Sequence, residues 1–140
     1  LLRAGLAFTG LNANAPLLGE IDTDNDGVLT AMEVLNLDLA GTQLVVLSAC
    51  ETGLGEIHEG EGVYGLRRSF QEAGVSNVVN SFWEVSDAGT QLLMTKFYAK
   101  FLGGMPAREA MREARLEMLE TLEWSAPYYW SAFVLVGRNS

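Results

Sequence analysis

Three short apolar runs, separated by segments of helical spacing, organise this chain. Gln43-Leu44-Val45-Val46-Leu47-Ser48-Ala49-Cys50, Val75-Ser76-Asn77-Val78-Val79-Asn80-Ser81-Phe82-Trp83 and Trp130-Ser131-Ala132-Phe133-Val134-Leu135-Val136-Gly137 are rich in β-branched and aliphatic residues. Runs of this kind read as strands buried on both faces, which occur mainly in parallel sheets. Leu6-Ala7-Phe8-Thr9 predicts a shorter strand, with a turn following over Asn12–Pro16. Between the main runs, Val63, Leu66, Phe70 and Ala73 form one helical stripe, and Gly74 is a natural stop. Ala88 to Leu102 predicts an amphipathic helix with Asp87 as its N-cap, and Gly103-Gly104 ends it. A further helix starts at Pro106 and buries Ala107, Ala110, Met111, Ala114 and Met118. A short helix is expected over Ala31 to Leu37, and Pro127-Tyr128-Tyr129 forms an aromatic shoulder before the last strand. Strand, helix, strand, paired helices, strand is the pattern of an α/β sandwich built on a mostly parallel sheet.

Length and charge narrow the function classes. At 140 residues the chain is one domain's worth of material. Its 18 acidic and 9 basic residues give a net charge of −9, which argues against nucleic acid, since a phosphate backbone is bound through basic side chains. Basic peptides and metal cations are the more natural partners. No stretch of about 18 uninterrupted apolar residues predicts a membrane span. The start, Leu1-Leu2-Arg3-Ala4-Gly5-Leu6-Ala7-Phe8, lacks the layout of a signal peptide and does not begin with methionine. The chain is therefore expected to begin partway through a fold. Its single cysteine makes no internal disulfide, which fits a reducing, cytoplasmic setting and leaves a thiol for nucleophilic work.

Two segments carry candidate chemistry. Asp22-Thr23-Asp24-Asn25-Asp26-Gly27-Val28-Leu29-Thr30-Ala31-Met32-Glu33 matches the twelve-residue calcium loop of the EF-hand. In that match Asp22, Asp24 and Asp26 supply carboxylate oxygens and Gly27 makes the sharp turn. Val28 offers its carbonyl, Thr30 stands where a water often bridges, and Glu33 closes the site. The alternative is an acidic, solvated turn leading into a short helix, because no amphipathic helix enters the loop and no second loop pairs with it. The second segment begins at Cys50, which ends the first apolar run and so falls where open α/β sheets gather their reactive groups. Beyond it, Glu51 to Gly65 is rich in glycine, but no Lys-Ser or Lys-Thr follows and Glu56, Glu59 and Glu61 would repel a phosphate. A thiolate needs a base or cation, and Glu51 works against it. The only histidine, His58, lies eight residues on in the acidic loop, so a Cys50–His58 pair and an exposed loop histidine both stay open.

Four stretches together resemble the C-terminal half of a CHAT domain. They are Val45-Val46-Leu47-Ser48-Ala49-Cys50-Glu51-Thr52-Gly53, Gly60-Glu61-Gly62-Val63-Tyr64-Gly65-Leu66-Arg67-Arg68, Phe82-Trp83-Glu84-Val85-Ser86-Asp87 and Pro127-Tyr128-Tyr129-Trp130-Ser131-Ala132-Phe133. The resemblance covers nearly the whole chain. It also extends over Asp26-Gly27-Val28-Leu29-Thr30-Ala31, leaving Asp22 and Asp24 as the part of the calcium match that it does not explain. CHAT domains are caspase-like and related to separase, and are often attached to tetratricopeptide repeats. The resemblance implies a caspase-like three-layer α/β/α sandwich and a cysteine endopeptidase that uses no catalytic cofactor. Cys50 would attack a peptide carbonyl and form an acyl-enzyme, its partner histidine and an adjacent oxyanion-holding glycine lying on a strand upstream of Leu1. Charge complementarity from Glu51, Glu56, Glu59 and Glu61 would favour a basic residue before the scissile bond, with Trp83 and Asp87 as walls of the pocket. Rival readings are a catalytically silent scaffold and a calcium-binding interaction module.

Overall fold

A computed structural model describes residues 5–7, 27–47, 61–83 and 85–137. In chain order the elements are β1 (Gly5–Ala7), β2 (Val28–Thr30), α1 (Ala31–Leu35), β3 (Leu44–Leu47), α2 (Glu61–Glu72), β4 (Asn77–Ser81), α3 (Asp87–Leu102), α4 (Ala107–Leu119), α5 (Pro127–Trp130) and β5 (Phe133–Gly137). They divide into two compact units, one holding β1, β2, α1 and α2 and the other holding the remaining elements.

In the first unit β1 and β2 pair antiparallel, with Leu6 opposite Leu29. The short strand β2 was not expected from the sequence; Gly27, at φ 77°, turns the chain into it. Thr30 then caps α1. Its hydroxyl accepts from the Glu33 N–H at 3.2 Å, and the Glu33 carboxylate accepts from the Thr30 N–H at 2.6 Å, a reciprocal capping box. α1 packs on α2, and Ala31, Val34, Leu66, Phe70 and Ala73 are buried. α2 ends as its glycine predicts. The Val75 N–H reaches the Phe70 carbonyl at 3.1 Å and the Gly74 N–H reaches that of Gln71 at 3.2 Å, a Schellman closure. Gly74 stands at φ 111°, and a Cβ there would lie 2.9 Å from the Ala40 backbone nitrogen, so two separate constraints require glycine.

The second unit is a three-stranded mixed sheet in the order β3-β4-β5 with helices packed on it. β3 and β4 run parallel with Val46 opposite Val79 and Leu47 opposite Asn80. β4 and β5 run antiparallel with Val79 opposite Leu135 and Ser81 opposite Phe133. The closing strand therefore departs from the parallel sheet that the run pattern predicts. Two long helices joined by a short turn lie between β4 and β5. One crossover helix returns a chain to the starting end of a sheet; a second carries it back, so the next strand enters reversed.

Helix formation on this side follows the alanine and methionine stripe. Ala110, Met111, Ala114 and Met118 of α4 are buried with Leu93 and Phe97 of α3, and Val79 and Phe133 bring the sheet into the same core. α3 corrects one expectation, because its N-cap is Ser86, whose hydroxyl accepts from the Gly89 N–H at 3.2 Å. Asp87 is the first helical residue instead, where its charge still complements the helix dipole. Glu117 of α4 ties the helix pair together, accepting from Lys96 at 2.7 Å and from Lys100. The aromatic shoulder is itself helical: α5 begins on Pro127, and the Trp130 indole donates to the Ser125 carbonyl at 3.1 Å. Among the described residues no helix is long and apolar enough to cross a membrane.

Candidate active site

The carboxyl ends of the parallel pair β3 and β4 frame the candidate site. β3 is described as far as Leu47. Cys50 follows three residues later in sequence and, with Glu51 and His58, lies outside the described residues. β4 is buried at all five positions, as a central strand must be. Its chain then emerges. The Phe82 N–H still bonds the Ala132 carbonyl at 2.9 Å, but the Phe82 and Trp83 side chains are about half exposed.

Trp83 is held rather than loose. Its indole N–H donates to the Tyr128 carbonyl at 3.4 Å, linking the end of β4 to the first turn of α5. The Tyr128 ring is also exposed and meets the buried-side neighbour Tyr129 edge-on, at 5.4 Å between centroids. Tyr129 in turn stacks edge-on against Trp124 at 5.0 Å and lies over Gly89 in the first turn of α3. Asp87 is exposed at the same helix start, four residues after Trp83. Of the predicted wall residues, Trp83 and Asp87 thus both face solvent just past the carboxyl end of β4. An exposed aromatic face can take an extended, cationic side chain by stacking, and an exposed carboxylate can take it by charge.

α4 also carries a partly buried cation. Arg115 of α4 donates from its guanidinium to the Phe133 carbonyl, and burial lowers its pKa from the usual arginine value. It serves the junction of α4 with β5, where Phe133 stands opposite Ser81, the last residue of β4. Sequence reasoning also passed over Asn80, which is 1% exposed and has neither amide atom hydrogen-bonded. A polar residue inside the run Val78-Val79-Asn80 was the available signal.

The metal-loop residues divide between described and undescribed. Asp22, Asp24 and Asp26 lie outside the described residues. Val28 opens β2, and Glu33 is in the first turn of α1. Hydrogen bonds from the Thr30 backbone N–H, chiefly, and then from the Thr30 hydroxyl hold the Glu33 carboxyl below its ordinary pKa. It is thus a carboxylate at neutral pH, with one oxygen already committed to the cap. Among the described residues, no group of three or more His, Cys, Asp or Glu side chains gathers as a metal site.

A cysteine that follows a parallel strand in sequence, and a neighbouring strand that leads into exposed aromatic residues, define an α/β protein whose candidate chemistry is sought at the carboxyl edge of the sheet. The chain belongs to the CHAT domain family, whose profile matches residues 1–138. It is 34% identical over 112 residues to human tetratricopeptide repeat protein 28 and 32% identical over 112 residues to the mouse protein of that name. Each match takes in 80% of this chain and 4% of the relative, so the chain spans only a small part of the length of these relatives. No solved structure matches it.

Proposed function

We propose that this domain carries the nucleophile of a caspase-like cysteine endopeptidase, within a complete three-layer α/β/α sandwich. The observation that supports it most is the conjunction of CHAT membership with a parallel β3–β4 pair that leads, three residues on, to the sole cysteine. In this reading the Cys50 thiolate adds to the scissile carbonyl carbon. The resulting oxyanion collapses to a thioester as the amine leaves with a proton from the partner histidine, and water then hydrolyses the thioester to restore the thiol. That histidine belongs upstream of Leu1, and His58 has no part in the step. Trp83 and Asp87 would receive the residue before the scissile bond, with a preference for Lys or Arg that Glu51 reinforces. Tetratricopeptide repeats attached to the domain would present the substrate protein, in keeping with the curated relatives. The lone thiol suits a reducing, cytoplasmic compartment.

The test uses the full-length protein. A peptidyl electrophile with Arg at its recognition position should label Cys50 far faster than it labels free cysteine, and Cys50→Ala should abolish cleavage. Labelling no faster than that of a free thiol would replace the peptidase by a silent scaffold. Equal cleavage after Arg and Asp would remove the basic preference alone.

A second reading concerns the 22–33 loop as a calcium site. It is favoured by the path of its described half: a glycine turn at 27, extended 28–30, then Glu33 ionised one helical turn on. Calcium titration should saturate and be lost in Asp22→Ala and Glu33→Gln. An unchanged melting temperature in excess calcium would defeat it, because a ligand of the folded state must raise that temperature.

A further inference from the structure

Gly89 is a glycine for want of space, not for its backbone. It stands buried in the first turn of α3, where its N–H donates to the Ser86 hydroxyl at 3.2 Å. Helices favour alanine at such a position and rank glycine near the bottom. A Cβ on Gly89, however, would lie 2.8 Å from Cδ1 of Tyr129, 3.5 Å from the Tyr129 Cβ and 3.1 Å from the Ser86 hydroxyl oxygen. The missing side chain makes room for the Tyr129 ring against the start of α3.

The preceding residue holds a second place. The Tyr128 carbonyl accepts from the Trp83 indole at 3.4 Å, and the Tyr128 ring meets that of Tyr129 edge-on at 5.4 Å. Trp124 braces Tyr129 at 5.0 Å. The turn that carries both tyrosines is closed by the Tyr129 N–H to the Ala126 carbonyl at 3.1 Å and by the Ser131 N–H to that of Pro127 at 2.9 Å. Two consecutive residues of α5 therefore grip the exit of β4 and the start of α3, all within one compact unit. Those are the two places that carry Trp83 and Asp87. We propose that Tyr129, seated on Gly89, is a positioning residue for the substrate pocket, holding Trp83 and the α3 turn of Asp87 at a fixed separation. The substrate side of this rests on the peptidase reading; the seat itself does not. Tyr129 touches no substrate here. A side chain at position 89 displaces its ring, and α5 moves Tyr128 and the Trp83 indole with it. One cationic side chain that must meet an aromatic face and a carboxylate together is sensitive to their separation.

Two substrate-free measurements on the full-length protein read the seat. In Gly89→Ala and in Tyr129→Leu, the amides of Tyr129 and Ser131 should exchange hydrogen about tenfold faster, and Trp83 should be oxidised by hydroxyl radicals about twofold faster, while α3 stays protected. Tyr129→Phe keeps Cβ and Cδ1 and should behave as wild type in both. With an Arg peptide as substrate, Gly89→Ala and Tyr129→Leu should raise KM about tenfold and leave kcat within about twofold. Combining the two changes should do little more than either alone, because both break one contact. Unchanged exchange and oxidation in Gly89→Ala would overturn the proposal. So would loosening that spreads along α3, a Tyr129→Phe as damaging as Tyr129→Leu, or a fall in kcat at constant KM. A protein that cuts no peptide yet shows the local, phenylalanine-rescued loss keeps the seat and loses the peptidase. One that cuts peptides with Trp83 and KM unmoved in Gly89→Ala does the reverse.

Discussion

The Trp83 indole donates to the Tyr128 carbonyl at 3.4 Å, so the exit of β4 and the start of α5 present their aromatic rings together. Trp83 is 41% exposed, and little of the core depends on it. Trp83→Ala should therefore weaken peptide binding more than folding. The expected result is a rise in KM of about tenfold, worth about 1.4 kcal/mol, with the melting temperature lowered by only a few degrees. Steady-state cleavage of an Arg peptide, with a thermal scan, checks both; an unchanged KM would take Trp83 out of the substrate pocket.

Phe97 of α3 is fully buried, its ring stacked on Phe101 at 5.7 Å. Phe97→Ala removes a whole ring from a core that includes Met111 and Phe133. Denaturant unfolding should show a loss of about 3–5 kcal/mol.

Gly74→Ala should be costly although the methyl group is small. The residue must keep φ 111°, and its Cβ would press on the Ala40 backbone at 2.9 and 3.1 Å. Backbone cannot move aside as a side chain can. A destabilisation of about 1–3 kcal/mol is expected from the conformation, with the clash added to it. Gly104→Ala offers a comparison by the same unfolding measurement, since it has a similar φ of 96° but open space around its Cβ.

Glu117 makes the α3–α4 pair acid-sensitive. Hydrogen bonds from Lys100 and then Lys96 hold its carboxyl below the ordinary value of 4.5. A carboxyl depressed in the folded state contributes stability that is fully present above 4.5 and lost as pH falls through the lower, folded value. The side chain is 38% exposed, so solvent screening limits the contribution to about 0.5–1 kcal/mol. Glu117→Gln should lower the melting temperature at pH 7 and leave it nearly unchanged at pH 2 to 3, where wild type has lost the same interaction. Equal losses at both pH values would mean that packing, not charge, is what the substitution removes.

Some of this architecture is legible residue by residue. Ala107, Ala110, Met111, Ala114 and Met118 recur at helical spacing, and all five are buried in α4. Gly74 reads as a helix stop and closes α2 in a left-handed conformation. Local signals of this kind survive because the spacing of side chains around one helix is set by that helix alone. Capping is less certain: Ser86 and Asp87 are both good N-caps, and the choice of Ser86 depends on where the chain leaves β4. The reversed direction of β5 was not legible, because an apolar run has the same composition in either direction. The short strand β2 was hidden in a segment that reads equally well as a metal loop.

By itself, the sequence determined the family, the order of the main elements and a cysteine three residues beyond the run that forms β3, since motif and periodicity are properties of residues near one another in the chain. Only the tertiary structure decided the mixed sheet, the joining of Trp83 to Tyr128 across 45 residues, and the isolation of Asn80 between Leu47 and Val134. Those are relations between segments far apart in sequence. They are fixed by strand register and by which buried groups find partners, and no local pattern encodes either.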